Sequence, residues 1–313
     1  MSDPPLPRES DFHVAVICAL ELEGNAVDKF FDHVWEPEEL EFLQKENSPN
    51  DLRVGLMGHH HIVSAWMYGP GKSDATSAAK TIKQTFHNIK LVLVVGICAA
   101  IPSIPIGDTI FGLEILPYDF GKELDDGFLQ THPVIKLDPD FGGFFSKLKS
   151  DYDTTALKMA THGHFKTKFL DTQDPKSKSK IQKPNVHFGL VASGDRVIKS
   201  TKFRDRIATG NGDNPIGFEM EAAGVERVYH GRVLVIKGVC DHADRDKTND
   251  FQEVAAKSGA AYMRAFLDRW RPPTKKQTIF EGVASGLHEV TRGPKAVASK
   301  SWHLLKLHAW DCC

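Results

Sequence analysis

Several short stretches of this chain are almost continuously apolar, and they constrain the fold more than any other feature. His13-Val14-Ala15-Val16-Ile17-Cys18-Ala19 and Leu91-Val92-Leu93-Val94-Val95 are too short for buried helices and rich in β-branched residues. Such runs fit strands covered on both faces. Asp51–Met57, Ile62–Trp66, Asp108–Leu113, Val186–Ala192 and Val233–Val239 read as further strands. Gly58-His59-His60-His61 would join the first two of these. Helices are predicted over Glu21–Phe31, Ser73–Phe86, Lys199–Ala208 and Phe251–Trp270. In the second of these, Ala75, Ala78, Ala79 and Ile82 share one face. Phe218–Val228 begins as a strand end and continues as a helix. Residues 123–186 are less regular, with one or two helices between solvated lysine-rich loops such as 176–180. Strands alternating with helices predict an α/β fold: a single three-layer α/β/α domain around a central mixed sheet. Residues 1–10 read as a flexible leader and 11–270 as the domain. Pro272-Pro273 stops the last helix, leaving residues 271–313 as a C-terminal tail.

Charge and cysteine usage narrow the function classes. Lys plus Arg number 39 and Asp plus Glu 41, a formal net charge of −2. That balance argues against a nucleic-acid partner, which calls for a basic surplus. The apolar run at 91–101 falls short of the ~20 residues a membrane helix needs. The N-terminus is polar and proline-rich, unlike a signal peptide. The 5 cysteines, Cys18, Cys98, Cys240, Cys312 and Cys313, show no disulfide spacing. A cytoplasmic location without membrane contact is therefore expected.

Four segments, in order, carry a resemblance. They are Ile17-Cys18-Ala19-Leu20-Glu21-Leu22-Glu23; Gly96-Ile97-Cys98-Ala99-Ala100 with Pro105-Ile106-Gly107-Asp108; Val191-Ala192-Ser193-Gly194-Asp195-Arg196-Val197-Ile198; and Phe218-Glu219-Met220-Glu221-Ala222-Ala223 followed by Gly238-Val239-Cys240-Asp241-His242-Ala243-Asp244. Together they resemble the nucleoside phosphorylase and nucleosidase superfamily, in its fungal branch. The catalytic carboxylates are similar to those of methylthioadenosine/S-adenosylhomocysteine nucleosidases. The resemblance spans residues 11–270.

Cleaving an N-glycosidic bond builds positive charge on the ribose and negative charge on the departing base. The site needs an acid for the base, anchors for the sugar hydroxyls and a nucleophile at C1′. A water nucleophile also needs a general base. Asp241 follows an apolar strand, where functional carboxyls of open α/β sheets lie. The resemblance implies that it protonates N7 of a purine, which requires a carboxyl kept partly protonated. The plain alternative is a turn-capping aspartate. Glu221 is implied as the anchor of the 2′ and 3′ hydroxyls, with Met220 packed on the sugar. A helix-start carboxylate is the alternative, and Glu219 suits it better than Glu221. Glu23 is implied as the base that activates water. It aligns with the third acid of an Ala-Met-Glu-Glu-Glu pattern whose middle position is Leu22 here. Gly96, Ile97, Asp195, Val197, Ile198 and Phe218 complete the implied substrate pocket, with Phe218 over the base because Val197 replaces a phenylalanine.

Phosphorolysis would require cations for a phosphate dianion, and Arg is the usual choice. The hexameric phosphorylases carry an arginine and a serine at positions that are Val94 and Ile97 here. After the first strand, where they carry another arginine, this chain reads Glu21-Leu22-Glu23-Gly24-Asn25. The expectation is therefore a purine nucleoside N-ribohydrolase acting on adenosine-type nucleosides, with water as co-substrate and no cofactor. Arg53, Lys72 or Arg196 could still bring charge. A phosphorylase, an AMP or ATP nucleosidase (with Lys72, His59 and His61 as phosphate candidates) and a sensor without turnover are the alternatives. The resemblance also implies a homo-oligomer.

Other motifs carry less. Gly69-Pro70-Gly71-Lys72-Ser73 lacks the first glycine of a phosphate loop and reads as a turn into a helix, with Ser73 near its N-cap. His59-His60-His61 and His162-Gly163-His164 lack partners at metal-ligand spacing, so no metal is expected. Ser193 lacks the flanking glycines of a nucleophile elbow. Trp302, Leu304, Leu305, Leu307 and Trp310 make the tail a packing element rather than a membrane anchor.

Overall fold

Lys237 is buried among central strands that are mostly apolar, and the arrangement of strands explains how. The computed structural model describes residues 4–44, 52–125, 127–169, 183–210, 212–245 and 248–272. The strands are β1 Phe12–Cys18, β2 His33–Trp35, β3 Leu52–Met57, β4 His60–Trp66, β5 Leu91–Ala100 and β6 Thr109–Pro117. They continue with β7 Gly121–Leu124, β8 Gly127–Gln130, β9 Ile135–Lys136, β10 Val186–Ser193, β11 Gly217–Glu219 and β12 Val233–Asp241. The helices are α1 Glu21–Asp28, α2 Lys72–Thr85, α3 Gly142–Leu148, α4 Asp151–Phe169, α5 Thr201–Thr209, α6 Ala222–Tyr229 and α7 Gln252–Leu267.

The main sheet runs β11-β10-β6-β12-β5-β1-β4-β3-β2, with β9 on β6. It is mixed. β1 lies parallel to β4 and β5, and β12 parallel to β5, whereas β12 and β6 are antiparallel. β11 pairs parallel with β10 and also antiparallel with β5, through Gly217↔Ala100 and Phe218↔Ala99. β5, β12, β6, β10 and β11 therefore close into a ring.

Strand alternation sorts the apolar runs into two cores. Ala15, Ile17, Val92 and Val94 face one layer, with Ala75, Ala78, Ala79 and Ile82 of α2 and Ala222, Val225 and Val228 of α6. Val14, Val16, Leu93 and Val95 face the other, with Val27 of α1, Leu157 and Phe165 of α4 and Tyr262, Phe266 and Leu267 of α7. This is the predicted three-layer arrangement. Each large side chain so buried contributes about 1.5–3 kcal/mol. Helix α7 lies so close to β12 that a Cβ on Gly238 would strike the Ala255 backbone.

Several boundaries move. β5 and β12 run past their apolar stretches to Ala100 and Asp241, because Val239↔Cys98, Asp241↔Ala99 and the β11 pairings continue the ladder. The turn between β3 and β4 is Gly58-His59 alone, and His60 and His61 belong to β4. β7 and β8 pair antiparallel as a separate two-stranded sheet, Gly121–Leu124 against Gly127–Gln130. α4 runs for 19 residues but buries only Leu157, Thr161 and Phe165, a stripe too narrow to stand out in the sequence. Of the leader, Pro7 is buried, and the Ser10 carbonyl accepts from the Asn88 side chain at 2.7 Å. The 271–313 tail, apart from Arg271 and Pro272, and the 176–180 lysine loop lie outside the described residues. No helix among the described residues is long and apolar enough to cross a membrane.

The described end of the domain is fastened by His60. Its Nε2 lies 3.0 Å from the Leu267 carbonyl and 3.2 Å from that of Trp270, whose ring stacks on the imidazole. Burial, with His59 beside it, depresses the His60 pKa to about 4. The neutral form is therefore favoured in the fold. Stability is retained above the ordinary value near 6.5 and is lost as pH falls toward 4. His60→Gln keeps an N–H donor and removes the titration. Between pH 7 and pH 4, wild type is expected to lose about 2 kcal/mol more than this variant in denaturant titrations. Parallel losses would exclude His60 as the titrating group.

Candidate active site

The ends of β1, β5, β11 and β12 converge on a cleft of about 310 Å³. Its lining includes Glu23, Ile97, Phe218, Met220, Glu221 and Cys240, with Val197 and Ile198.

Glu23 sits in the first turn of α1 and is 2% exposed. Its Oε2 accepts from the Ala19 and Leu20 amides at 2.8 and 2.9 Å, and its Oε1 from the Ile97 amide at 2.7 Å. The carboxylate is thus fixed by backbone from both β5 and the β1–α1 turn. Gly96 makes this possible. A Cβ at position 96 would fall on Glu23 Oε1, so Gly96 contributes its lack of a side chain rather than a contact to the cleft. Burial raises the Glu23 pKa, against the opposing pull of Lys237.

Lys237 is the residue the sequence reading missed. It is 1% exposed, in the middle of β12, and its Nζ lies 3.0 Å from Glu221 Oε2 and 3.7 Å from Glu23 Oε1. Burial disfavours its charge, but the Glu221, Glu23 and Glu219 carboxylates outweigh that penalty and hold its pKa above the ordinary value. Lys237 therefore stays protonated and links two of the three predicted carboxylates. Its sequence signal is a lysine inside a strand whose every residue is buried. Buried charges in such places require partners.

Glu219 ends β11 and Glu221 lies two residues on, at the N-cap of α6, and the two carboxylates divide their roles. Glu219 accepts from the Glu221 amide at 2.9 Å and from the Ala222 amide at 3.0 Å, so it caps α6. Burial and the charge of Glu221 push its pKa up to about 7. Glu221 points instead to Lys237. Ser193 is fully buried and receives the Ala223 amide at 3.0 Å, which makes it part of the same helix start.

Asp241 ends β12, 3% exposed, opposite Ala99. Its Oδ1 accepts from the Ala243 amide at 2.8 Å. Asp241 is not among the residues that line the cleft, but Cys240 and Ala99, its chain neighbour and its register partner, are. Phe218 and Ile198 pack with Ala99 and Ala243 in a small apolar cluster beneath this corner. Val197 is 59% exposed at the rim, and Met220 is half-buried on the floor.

Asp195 is a correction. Its Oδ1 accepts from the Lys72 amide at 2.7 Å and its carboxylate faces the Lys72 ammonium at 3.6 Å. It caps α2 across the Gly71 turn, away from the cleft lining, and Gly71 rather than Ser73 is the N-cap. The phosphate candidates also fall elsewhere. Lys72 pairs with Asp119 at 2.5 Å, His59 approaches the Trp270 carbonyl, and His61 stacks on Trp35. Arg53 pairs with Asp28. Of the cations considered, Arg196 alone lines the cleft, beside Lys199.

Comparison with known proteins agrees with this architecture. The structure is similar to a methylthioadenosine/S-adenosylhomocysteine nucleosidase of Helicobacter pylori, with TM-score 0.61 and 17% identity over 83% of this chain and 100% of that one. It is similar to the futalosine hydrolase of the same organism, with TM-score 0.59 and 16% identity over 83% and 99%. The Neisseria meningitidis 5′-methylthioadenosine/S-adenosylhomocysteine nucleosidase gives TM-score 0.59 and 21% identity over 82% and 99%. At these identities the likeness is one of fold. A nucleotide-binding leucine-rich repeat-like protein of the fungus Hyaloscypha variabilis is 28% identical over 84% of this chain, which spans 30% of that relative's length. Residues 13–268 match the description of one family end to end across the sheet and its cleft, and the chain therefore belongs to the phosphorylase superfamily.

Proposed function

We propose that the protein is a purine nucleoside N-ribohydrolase, a nucleosidase for adenosine-type nucleosides. The observation that carries this reading is the buried Glu23–Lys237–Glu221 chain at the cleft, with Asp241 at the end of the strand that carries Lys237. Asp241 gives a proton to N7 as the C1′–N9 bond breaks and its electron pair passes to the base. Glu221 receives the 2′ and 3′ hydroxyls, oriented by Lys237. Water attacks C1′ and loses a proton to Glu23, whose raised pKa makes it a better acceptor. Lys237 is already matched by carboxylates, so this corner offers a phosphate dianion no unbalanced positive charge. That favours water over phosphate. A cytoplasmic homo-oligomer, with a neighbour completing the pocket, belongs to the same proposal, as do the absence of cofactor, membrane and nucleic-acid partners.

Arg196 and Lys199 on the cleft favour one second reading, a substrate that carries phosphate, such as AMP. Adenosine and AMP in parallel, with and without inorganic phosphate, separate the cases. Adenine and free ribose from adenosine in phosphate-free buffer are expected. Ribose 1-phosphate formed only with added phosphate would replace hydrolysis by phosphorolysis, and preferential AMP cleavage would establish the second reading.

Asp241→Asn is expected to lower kcat about 10²- to 10⁴-fold with an unchanged Tm. Unaltered turnover would remove Asp241 from the mechanism. Lys237→Met leaves two buried carboxylates without their counter-ion and is expected to cost about 3–5 kcal/mol of stability. Adding Glu221→Gln should recover part of that loss. An additive double variant would show that the two side chains do not act as a pair.

A further inference from the structure

β12 does not end as a regular strand. Its register slips between Val239 and Asp241, so Cys240 and Asp241 together oppose the step from Cys98 to Ala99 on β5. Successive side chains of a regular strand point to opposite faces. Here the bulge brings two successive side chains together, and Cys240 Sγ lies 3.1 Å from Asp241 Oδ2. The thiol is 2% exposed, and a second acceptor, the Cys98 carbonyl, is 3.4 Å away. Among the described residues, titratable groups at this corner include Cys98 on β5, Glu219 on β11 and Lys237 on β12.

We infer that Cys240 is a positioning residue for Asp241: its S–H donates to Oδ2, fixes the rotation of the carboxyl and stabilises the carboxylate left when the proton goes to the base. This rests on the nucleosidase reading. The chemistry follows from what a thiol can do. Its single proton can serve one acceptor strongly, and a hydrogen bond to an ionised carboxylate is stronger than one to a neutral carbonyl. While Asp241 is protonated, the Cys98 carbonyl competes for the thiol. Once the proton has left, Oδ2 becomes the better acceptor. The interaction therefore strengthens as the base departs, which is the condition for lowering a barrier. On the other oxygen, the Ala243 amide gives a constant hold at 2.8 Å. The bulge serves this purpose because an unbulged strand would turn the Cys240 thiol away from Asp241.

The test compares wild type, Cys240→Ala and Cys240→Ser in the full chain. Loss of the donor makes ionised Asp241 less favourable. For Cys240→Ala, the alkaline limb of the kcat/KM profile should move up by about one pH unit, the scale of one hydrogen bond to a charged group. Its kcat should fall about tenfold while KM stays within twofold. Cys240→Ser retains a donor and should restore both. Cys240→Ala with an unmoved profile, or Cys240→Ser no better than Cys240→Ala, would reduce Cys240 to packing. A readout independent of turnover is the infrared S–H band, assigned as the band lost in Cys240→Ala. It should shift in Asp241→Asn, and an unshifted band overturns the inference. A shift in a wild-type protein that releases no base from any purine nucleoside would instead refute the nucleosidase reading and leave the thiol–carboxyl bond standing.

Discussion

The structure depends on one buried cation. Lys237 stands in the middle of a strand that otherwise excludes water, and Glu221 and Glu23 are the groups that keep it charged there. Moving a lone ammonium from water into such a place costs several kcal/mol, and the same holds for each carboxylate. The three are tolerable only together. This mutual dependence brings together a helix from the beginning of the domain, a strand near its end and the segment that opens α6. This end of the cleft is therefore assembled by electrostatic necessity rather than by a continuous stretch of chain.

Backbone donors complete what the cation begins. Among the described residues, three amides hold Glu23 and two hold Glu219, the Ala243 amide reaches Asp241, and all but the Ile97 amide come from positions within four residues of the acid they hold. Each donor restricts rotation and favours a charged acceptor despite burial. The site's precision thus comes from turns and helix starts adjoining the ends of well-packed strands, which loops alone would not provide.

The apolar runs declared themselves in the sequence because both faces of a central strand are covered, so β1, β5, β10 and β12 could be read without a partner. Glu23, Glu221, Met220, Phe218, Ile97, Val197 and Ile198 were singled out through motif order and line the cleft, whereas Asp241, singled out in the same way, is not among the lining residues. Lys237 was hidden because a lysine in a strand reads as an interruption, and its partners lie 16 and 214 residues away. Asp195 misled for the opposite reason. It sits inside a motif that resembles a pocket segment, yet the nearby amide of Lys72 claims it as a cap. The antiparallel pair of β7 and β8 escaped, and α4 was read only as an unplaced helix within residues 123–186, because their apolar residues are sparse or exposed and periodicity carried little signal.

The double pairing of β11 has a consequence for traffic. With β10 on one side and β5 on the other, the strand that delivers Phe218 and introduces Glu221 has no unpaired edge along which to peel away. The lining of the cleft includes Val197, which is 59% exposed, together with Lys199, Asn249 and Gln252. The pace of entry and departure then rests with such residues of the lining rather than with β11, and natural variation confined to them could retune throughput while leaving the floor untouched.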